Sequence, residues 1–255
     1  MKYAMMKICK YSFLVLMVVS LFLACKKEDY IDTGIHEAKF NGTIWNYLES
    51  RPELFDTLMV ALKIAGLDDV LKKDEVTFFA PADPCILKSV WTLNKELFLS
   101  GQDSVKRFDQ ISPGVWRKYL SRYIFKGRYV AKDFRQIDTL NLAAFSGGVY
   151  KNLEGIDMNI GVLYNDIVSK NDQSENKQVI KYAGYRQLYL NYPYSFAIPE
   201  EIKDFIIPYI TAPVATSDIQ PTNGVLHVLQ FSKHIFGFEN YGFVNDAYLA
   251  GISPE

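Results

Sequence analysis

The sequence predicts an α+β fold, because two kinds of periodicity occupy different parts of the chain. Leu54, Phe55, Leu58, Met59, Leu62 and Ala65 recur at three- and four-residue spacing, as do Trp116, Tyr119, Leu120, Tyr123 and Ile124, and such stripes mark amphipathic helices. Glu75–Ala80 and Val225–Phe231 are instead rich in β-favouring residues. In the second, Val225, His227, Leu229 and Phe231 face one way and Leu226, Val228 and Gln230 the other. Both sets are largely apolar, so burial on both faces is expected. Apolar residues at 49% against 22% charged suit a chain with a sizeable core. No repeat or compositional shift divides residues 42–255, which are read as one domain.

Residues 1–24 are read apart from the fold, as a lipoprotein signal peptide. Lys2, Lys7 and Lys10 form a basic start, and Tyr11–Ala24 is apolar apart from Ser12 and Ser20. That run falls short of the roughly 20 apolar residues a spanning helix needs. It ends in Phe22-Leu23-Ala24-Cys25, which resembles a bacterial lipobox with Phe22 where Leu is usual. The resemblance implies that Cys25 becomes the lipidated first residue, with palmitate-like acyl chains, since several chains anchor where one is marginal. Lys26-Lys27-Glu28-Asp29 resembles the surface-export signal of some Gram-negative lipoproteins, which implies an outer-membrane protein exposed on the cell surface. Residues 25–41 are read as its tether. Cys9 leaves with the leader and Cys25 carries lipid, so Cys85 has no intramolecular disulfide partner and reads as a small buried hydrophobe.

Along the chain, Thr43 is the expected N-cap of a short helix over Ile44–Glu49. Pro52 suits the first turn of the next helix, and Gly66 its C′ stop. Asp68–Lys72 reads as a further turn. Pro81 ends the first strand, and Asp83 is expected to cap the helix over Ile86–Leu99. Ser100–Pro113 reads as a loop, and the Trp116 stripe as a helix ended by Gly127. Ile137–Leu142 and Val149–Leu153 read as strands on either side of a Gly147-Gly148 turn. Gly155–Val168 reads as two short strands around Gly161. Lys170–Lys177 is a polar surface loop, and Ile202–Ile210 a short helix between Pro199 and Pro208. Thr216–Ile219 is a short strand that Pro221 ends. Asn223-Gly224 is a hairpin dipeptide whose residues tolerate positive φ. His234–Phe243 wraps back on the domain, and His234 has no evident partner.

Two blocks in this pattern resemble the signature of the fasciclin (FAS1) domain family. Ala65-Gly66-Leu67, Leu71, Thr77, Phe79, Ala80, Pro81 and Asp83 match the first, and Asp218, Ile219, Asn223, Gly224, Val225, His227 and Val228 the second. The match runs from Thr43 to Phe238. It implies a FAS1-like fold, with a β-sandwich-like core of short strands and helices packed around it, in which the segments near Phe79 and His227 are neighbouring strands. It also implies binding or cell adhesion at surfaces. Thr77, Phe79, Pro81, Asp83, Asp218, Asn223, Gly224 and His227 are then structural positions. Many members carry a Tyr-His pair where Arg122 and Tyr123 stand here, so integrin-type recognition through that pair is not implied. His227 sits in a buried strand with no second His, Cys or carboxylate at metal spacing. It reads as a core histidine whose ring nitrogens hold backbone.

Lys181–Phe196 is dense in tyrosine. Tyr offers a flat apolar face to a sugar ring or a protein and a polar tip at its edge. Tyr182, Tyr185, Arg186, Tyr189, Asn191 and Tyr192 are therefore candidate ligand-binding residues, although the same aromatics also suit a core. The net charge of −1 gives no broad electrostatic case for nucleic acid. The chain has no Gly-rich phosphate loop, no His/Cys metal set and no G-x-S-x-G elbow, so no cofactor or metal is expected. The expected function is non-enzymatic binding of a glycan or protein, with a place beside a nutrient-uptake complex of the outer membrane by analogy. One alternative is a carbohydrate-active enzyme, which needs two carboxylates about 5–10 Å apart across a cleft. Another is a structural partner subunit of an outer-membrane complex, which needs an exposed apolar patch.

Overall fold

The helical half of the chain begins as its caps dictate. In the computed structural model, which describes residues 38–170, 177–194, 207–239 and 241–254, Thr43 caps α1 (Ile44–Glu49) by accepting from the Asn46 amide. Pro52 opens α2 (Pro52–Ile64). Gly66, at φ +64°, ends it, and Leu67 N–H returns to Leu62 O at 3.0 Å. The leader, Cys25, the tether up to residue 37, the polar loop at 171–176 and residues 202–206 lie outside the described residues. Residues 38–41 belong to the domain rather than to the tether, because Lys39 bridges Gln220 and Phe40 N–H donates to Gln220 O.

After α3 (Asp68–Lys73), the strand β1 (Val76–Ala80) is buried throughout. Asp83 starts α4 (Asp83–Leu99) but does not cap it. Its carboxylate accepts from the Thr57 and Leu58 amides of α2, at 3.0 and 2.9 Å. The loop that follows contains a 3-10 turn at Phe108–Gln110. Helix α5 (Pro113–Leu120) is shorter than its apolar stripe. Tyr123 belongs to a 3-10 turn and Ile124 to β2 (Ile124–Lys126), because Ile124 and Phe125 pair with Phe78 and Thr77 of β1. A helix end and the strand after it bury apolar residues alike, which is why periodicity ran them together.

The next strands also redraw the expected boundaries. β3 (Gln136–Ile137) stops at once, since Asp138 turns the chain by accepting from the Leu140 amide. β4 (Gly148–Lys151) pairs with β5 (Asp157–Tyr164), which runs unbroken through Gly161. Gly161 is there for close approach, because a Cβ would lie 2.6 Å from Ile137 Cβ. β6 (Ile167–Lys170) and β7 (Lys177–Ile180) form a separate two-stranded ribbon. β8 (Arg186–Pro193), β9 (Tyr209–Ile219), β10 (Gly224–Leu229) and α6 (Gly242–Ala250) complete the chain. Ile207–Ile210 enters β9 rather than a helix. β10 ends before Phe231, which is 55% exposed in a 3-10 turn.

The class is α+β, a curled sheet with helices packed around it. Strand order is β2-β1-β10-β9-β8-β5-β3, with β4 also on β5. β9 serves both halves: Tyr209–Pro213 pairs with β8, and Val214, Thr216 and Ile219 pair with β10. Pro213 stands at that changeover. The sheet then curls until Phe125 beside β1 bridges Asn152 beside β4, with Leu153 N–H on Ile124 O at 2.8 Å. Two blocks 148 residues apart thus lie side by side: β1 and β10 run parallel, with Phe79 opposite His227.

Neither Asn223 nor Gly224 takes a positive φ. Gly224 is needed because a Cβ there would lie 2.0 Å from Val76 O. Asn223 is needed for its amide group. Oδ1 accepts from Ile44 N–H at the start of α1, and Nδ2 donates to Leu71 O and Asp74 O. One side chain fastens two helices to the β10 turn. Asn223→Ala is expected to cost about 2 kcal/mol, read from urea unfolding, since it strands three backbone groups; an unchanged midpoint would refute this role.

Candidate functional site

His227 is fully buried, and a bulge explains what it does. Between Ile219 and Thr216, β9 carries one residue more than β10 does between Leu226 and Val228. Asp218 takes φ +65° there, which turns its N–H to His227 Nδ1 at 3.2 Å. Nε2 lies 3.0 Å from Tyr129 O. With Nδ1 accepting, Nε2 carries the proton and the imidazole is neutral. The Asp218 carboxylate accepts from Ala131 N–H. Thr77 Oγ1 donates to Gly127 O and accepts from Tyr129 N–H, each at 2.8 Å. Phe79 packs against Phe125, Phe134 and the His227 ring. These groups together hold residues 127–134 and leave no ring nitrogen of His227 for a ligand.

A second buried cluster was hidden from sequence reading. His234 does have a partner: its Nε2 lies 2.8 Å from Tyr123 Oη, which also accepts from Gly237 N–H at 2.7 Å. Arg122 is 3% exposed, with its guanidinium 4.4 Å from the ring centres of both Tyr119 and Tyr192. It donates to Gly237 O and faces Glu239 at 3.6 Å. Tyr119 in turn donates to Asp246, which also pairs with Lys118. This lattice straps residues 234–239 onto α5. Its hydrogen bonds to His234, Gly237 and Asp246 cross more than a hundred residues, so no local motif announces it.

Tyr192 is therefore a wall for a buried cation and not a ligand-binding residue on the surface. The rest of the tyrosine group is dispersed as well. Asn191 is fully buried and donates to Asn159 Oδ1 at 2.9 Å. Tyr189 and Asn191 line a cavity of about 160 Å³ together with Leu163 and Thr211. Tyr182, at φ +59°, donates to Asp138 and packs on Phe145. The six residues form no common surface: Tyr182 and Tyr185 precede β8, and within it Tyr189 and Asn191 alternate with Arg186 and Tyr192.

Tyr185 and Arg186 do share a site. They border an open groove of about 420 Å³ completed by Gln187, Val214, Ser217 and Gln230. Asn165 holds Tyr185 by its carbonyl, through backbone and side-chain amides both at 3.0 Å, while the ring is 70% exposed. The Arg186 guanidinium sits 4.4 Å from the Tyr164 ring centre. Gln187 is fixed from both ends, donating to Val214 O and accepting from Tyr189 Oη. The result is a flat aromatic face beside a fixed amide, a guanidinium seated on Tyr164 and the Ser217 hydroxyl. Cys85 is buried and its thiol is pushed up to about 11 by desolvation, far from a reactive thiolate. Among the described residues no group of three His, Cys, Asp or Glu side chains converges as a metal site.

Among solved structures the chain is similar to a FAS1 domain pair. That pair comes from the insect cell adhesion molecule fasciclin I, with a TM-score of 0.41 and 18% identity over 74% of this chain and 49% of that one. This chain thus spans about half the length of that structure. No family model and no curated protein matches the sequence.

The buried histidines set a pH dependence. Burial holds His227 down to about 4 and His234 to about 3. Unfolding returns both to water, where an imidazole binds its proton near pH 6.5. The unfolded chain therefore binds more protons below that pH, and stability present above about 6.5 is lost as pH falls towards about 4. Urea midpoints across this window should drop with a slope approaching two protons, and His227→Gln should shed part of it. A flat profile would contradict the buried neutral assignment.

Proposed function

We propose that the protein is a fasciclin-type binding protein, lipid-anchored at Cys25 on the cell-surface side of the outer membrane, which holds a saccharide in the groove beside Tyr185 and Arg186. The observation that carries this reading is the groove itself. An exposed ring on a pinned backbone accepts the C–H face of a sugar, and fixed Gln187 with Arg186, Ser217 and Gln230 addresses its hydroxyls. The lining offers groups that hold a ligand rather than carboxylates that exchange its protons, which favours binding over glycoside hydrolysis.

The family assignment is supported by the two signature blocks. They pair in register, and their polar members Thr77, Asp218, Asn223 and His227 are all spent on backbone. The anchorage is supported by the leader and by Phe22-Leu23-Ala24-Cys25. A place beside an outer-membrane nutrient transporter agrees with such an address and rests on analogy.

A glycan array probed with the full lipid-free chain identifies the ligand class. Against the best glycan, Tyr185→Ala is expected to weaken binding by about tenfold, the equivalent of about 1.4 kcal/mol, with an unchanged unfolding midpoint. Equal binding by the variant would remove the groove from the account.

A further inference from the structure

Helix α4 buries one face and leaves another bare. Cys85, Ile86, Ser89, Val90, Leu93 and Leu97 are buried, whereas Leu87, Trp91 and Phe98 are 48%, 67% and 76% exposed. At 100° per residue these three lie within about 40° of one another, along about 16 Å of helix. Lys88 and Lys95, both exposed, flank the stripe on one side, with the exposed Leu99 beyond them. The helix has two acids, and neither joins this face. Asp83 is committed to α2, and Glu96 turns to the far side, where it lines a groove with Tyr241 and Asn245.

We propose that this stripe docks the domain on an anionic lipid surface, with Trp91, Phe98 and Leu87 in the interfacial layer and Lys88 and Lys95 against headgroup phosphates. Indole and phenyl rings partition to that layer, and lysines above it add attraction to negative charge. A bare apolar ridge in water is unfavourable for a protein with nothing to cover it. Here the inference rests on the lipid-anchor reading, because thirteen residues from Cys25 to Ala38 span at most about 45 Å. The anchor therefore keeps Ala38, at the start of the domain, within about 45 Å of a membrane. The charge pattern selects lipid over a protein groove, since it supplies cations alone along the exposed arc. Docking would orient the domain on the membrane.

Trp91 reports the contact directly, because Trp45 and Trp116, the other two tryptophans, are 3% and 0% exposed. The full chain, lipidated and purified from membranes, is mixed with phosphatidylethanolamine–phosphatidylglycerol vesicles whose acyl chains carry bromine. Flotation of the vesicles reads the anchor, and bromine quenching with a blue shift reads the stripe. The expected result is quenching of the Trp91 share of emission by about twofold. That quenching is lost in Leu87→Glu/Phe98→Glu and reduced in Lys88→Glu/Lys95→Glu, while all three proteins still float. Floating protein with unquenched Trp91 overturns the docking and leaves the anchor standing. Protein that fails to float, yet quenches at vesicle excess, overturns the anchor and keeps the stripe. A concentration-dependent blue shift without vesicles, lost in the same Glu variant, overturns it in favour of a second copy of this chain.

Discussion

The parallel contact between β1 and β10 is the constraint on which the domain depends. The two strands are 148 residues apart, yet they approach so closely that the Val76 carbonyl occupies the space of any side chain at position 224. All the chain from α4 to β9 is the connection between them. Contacts of such separation close late and at a large entropic cost, so the pair needs fastening from outside the sheet. Asn223 provides it at one end, by tying α1 and α3 to the β10 turn. At the other end the His227 ring spans from the β9 bulge to Tyr129. Residues that resemble signs of chemistry in sequence are here the fittings of one strand pair.

Much of the helical half was legible because its signals are local. Thr43, Pro52 and Gly66 act within one turn of themselves, and the α2 stripe reports one buried face. The strand order was legible only through resemblance, since nothing within β1 or β10 names its neighbour. The failures share a cause. Tyr123 and Ile124 looked helical because apolar spacing does not record where a helix yields to a strand. Gly161 looked like a break because glycine signals a turn and a close crossing alike, and Ile137, which decides between them, lies 24 residues away. Asn223-Gly224 leads into β10 as its turn signal predicts, yet both residues are required by what approaches them and not by their φ.

The candidate site shows the same division. Composition singled out the tyrosine-rich stretch but not which rings face water. Tyr185 precedes β8 and stays exposed, and the burial of Arg122 removes Tyr192, whose ring is one wall of a cation cage. That cage arises from α5, β8 and the segment after β10 at once. The groove at Tyr185 and Arg186 takes in two of the six candidate residues, and Asn165 and Gln187 hold its parts before any ligand arrives.

The join between Phe125 and Asn152 guards part of the sheet's edge. Two short edge segments meet there and satisfy one another, so the main sheet curls onto itself at the place where an open sheet would present bare amides and carbonyls. An unguarded edge is the usual template for runaway strand addition between copies of one chain. With that stretch of edge already paired, fewer amides and carbonyls stay open to a neighbouring molecule.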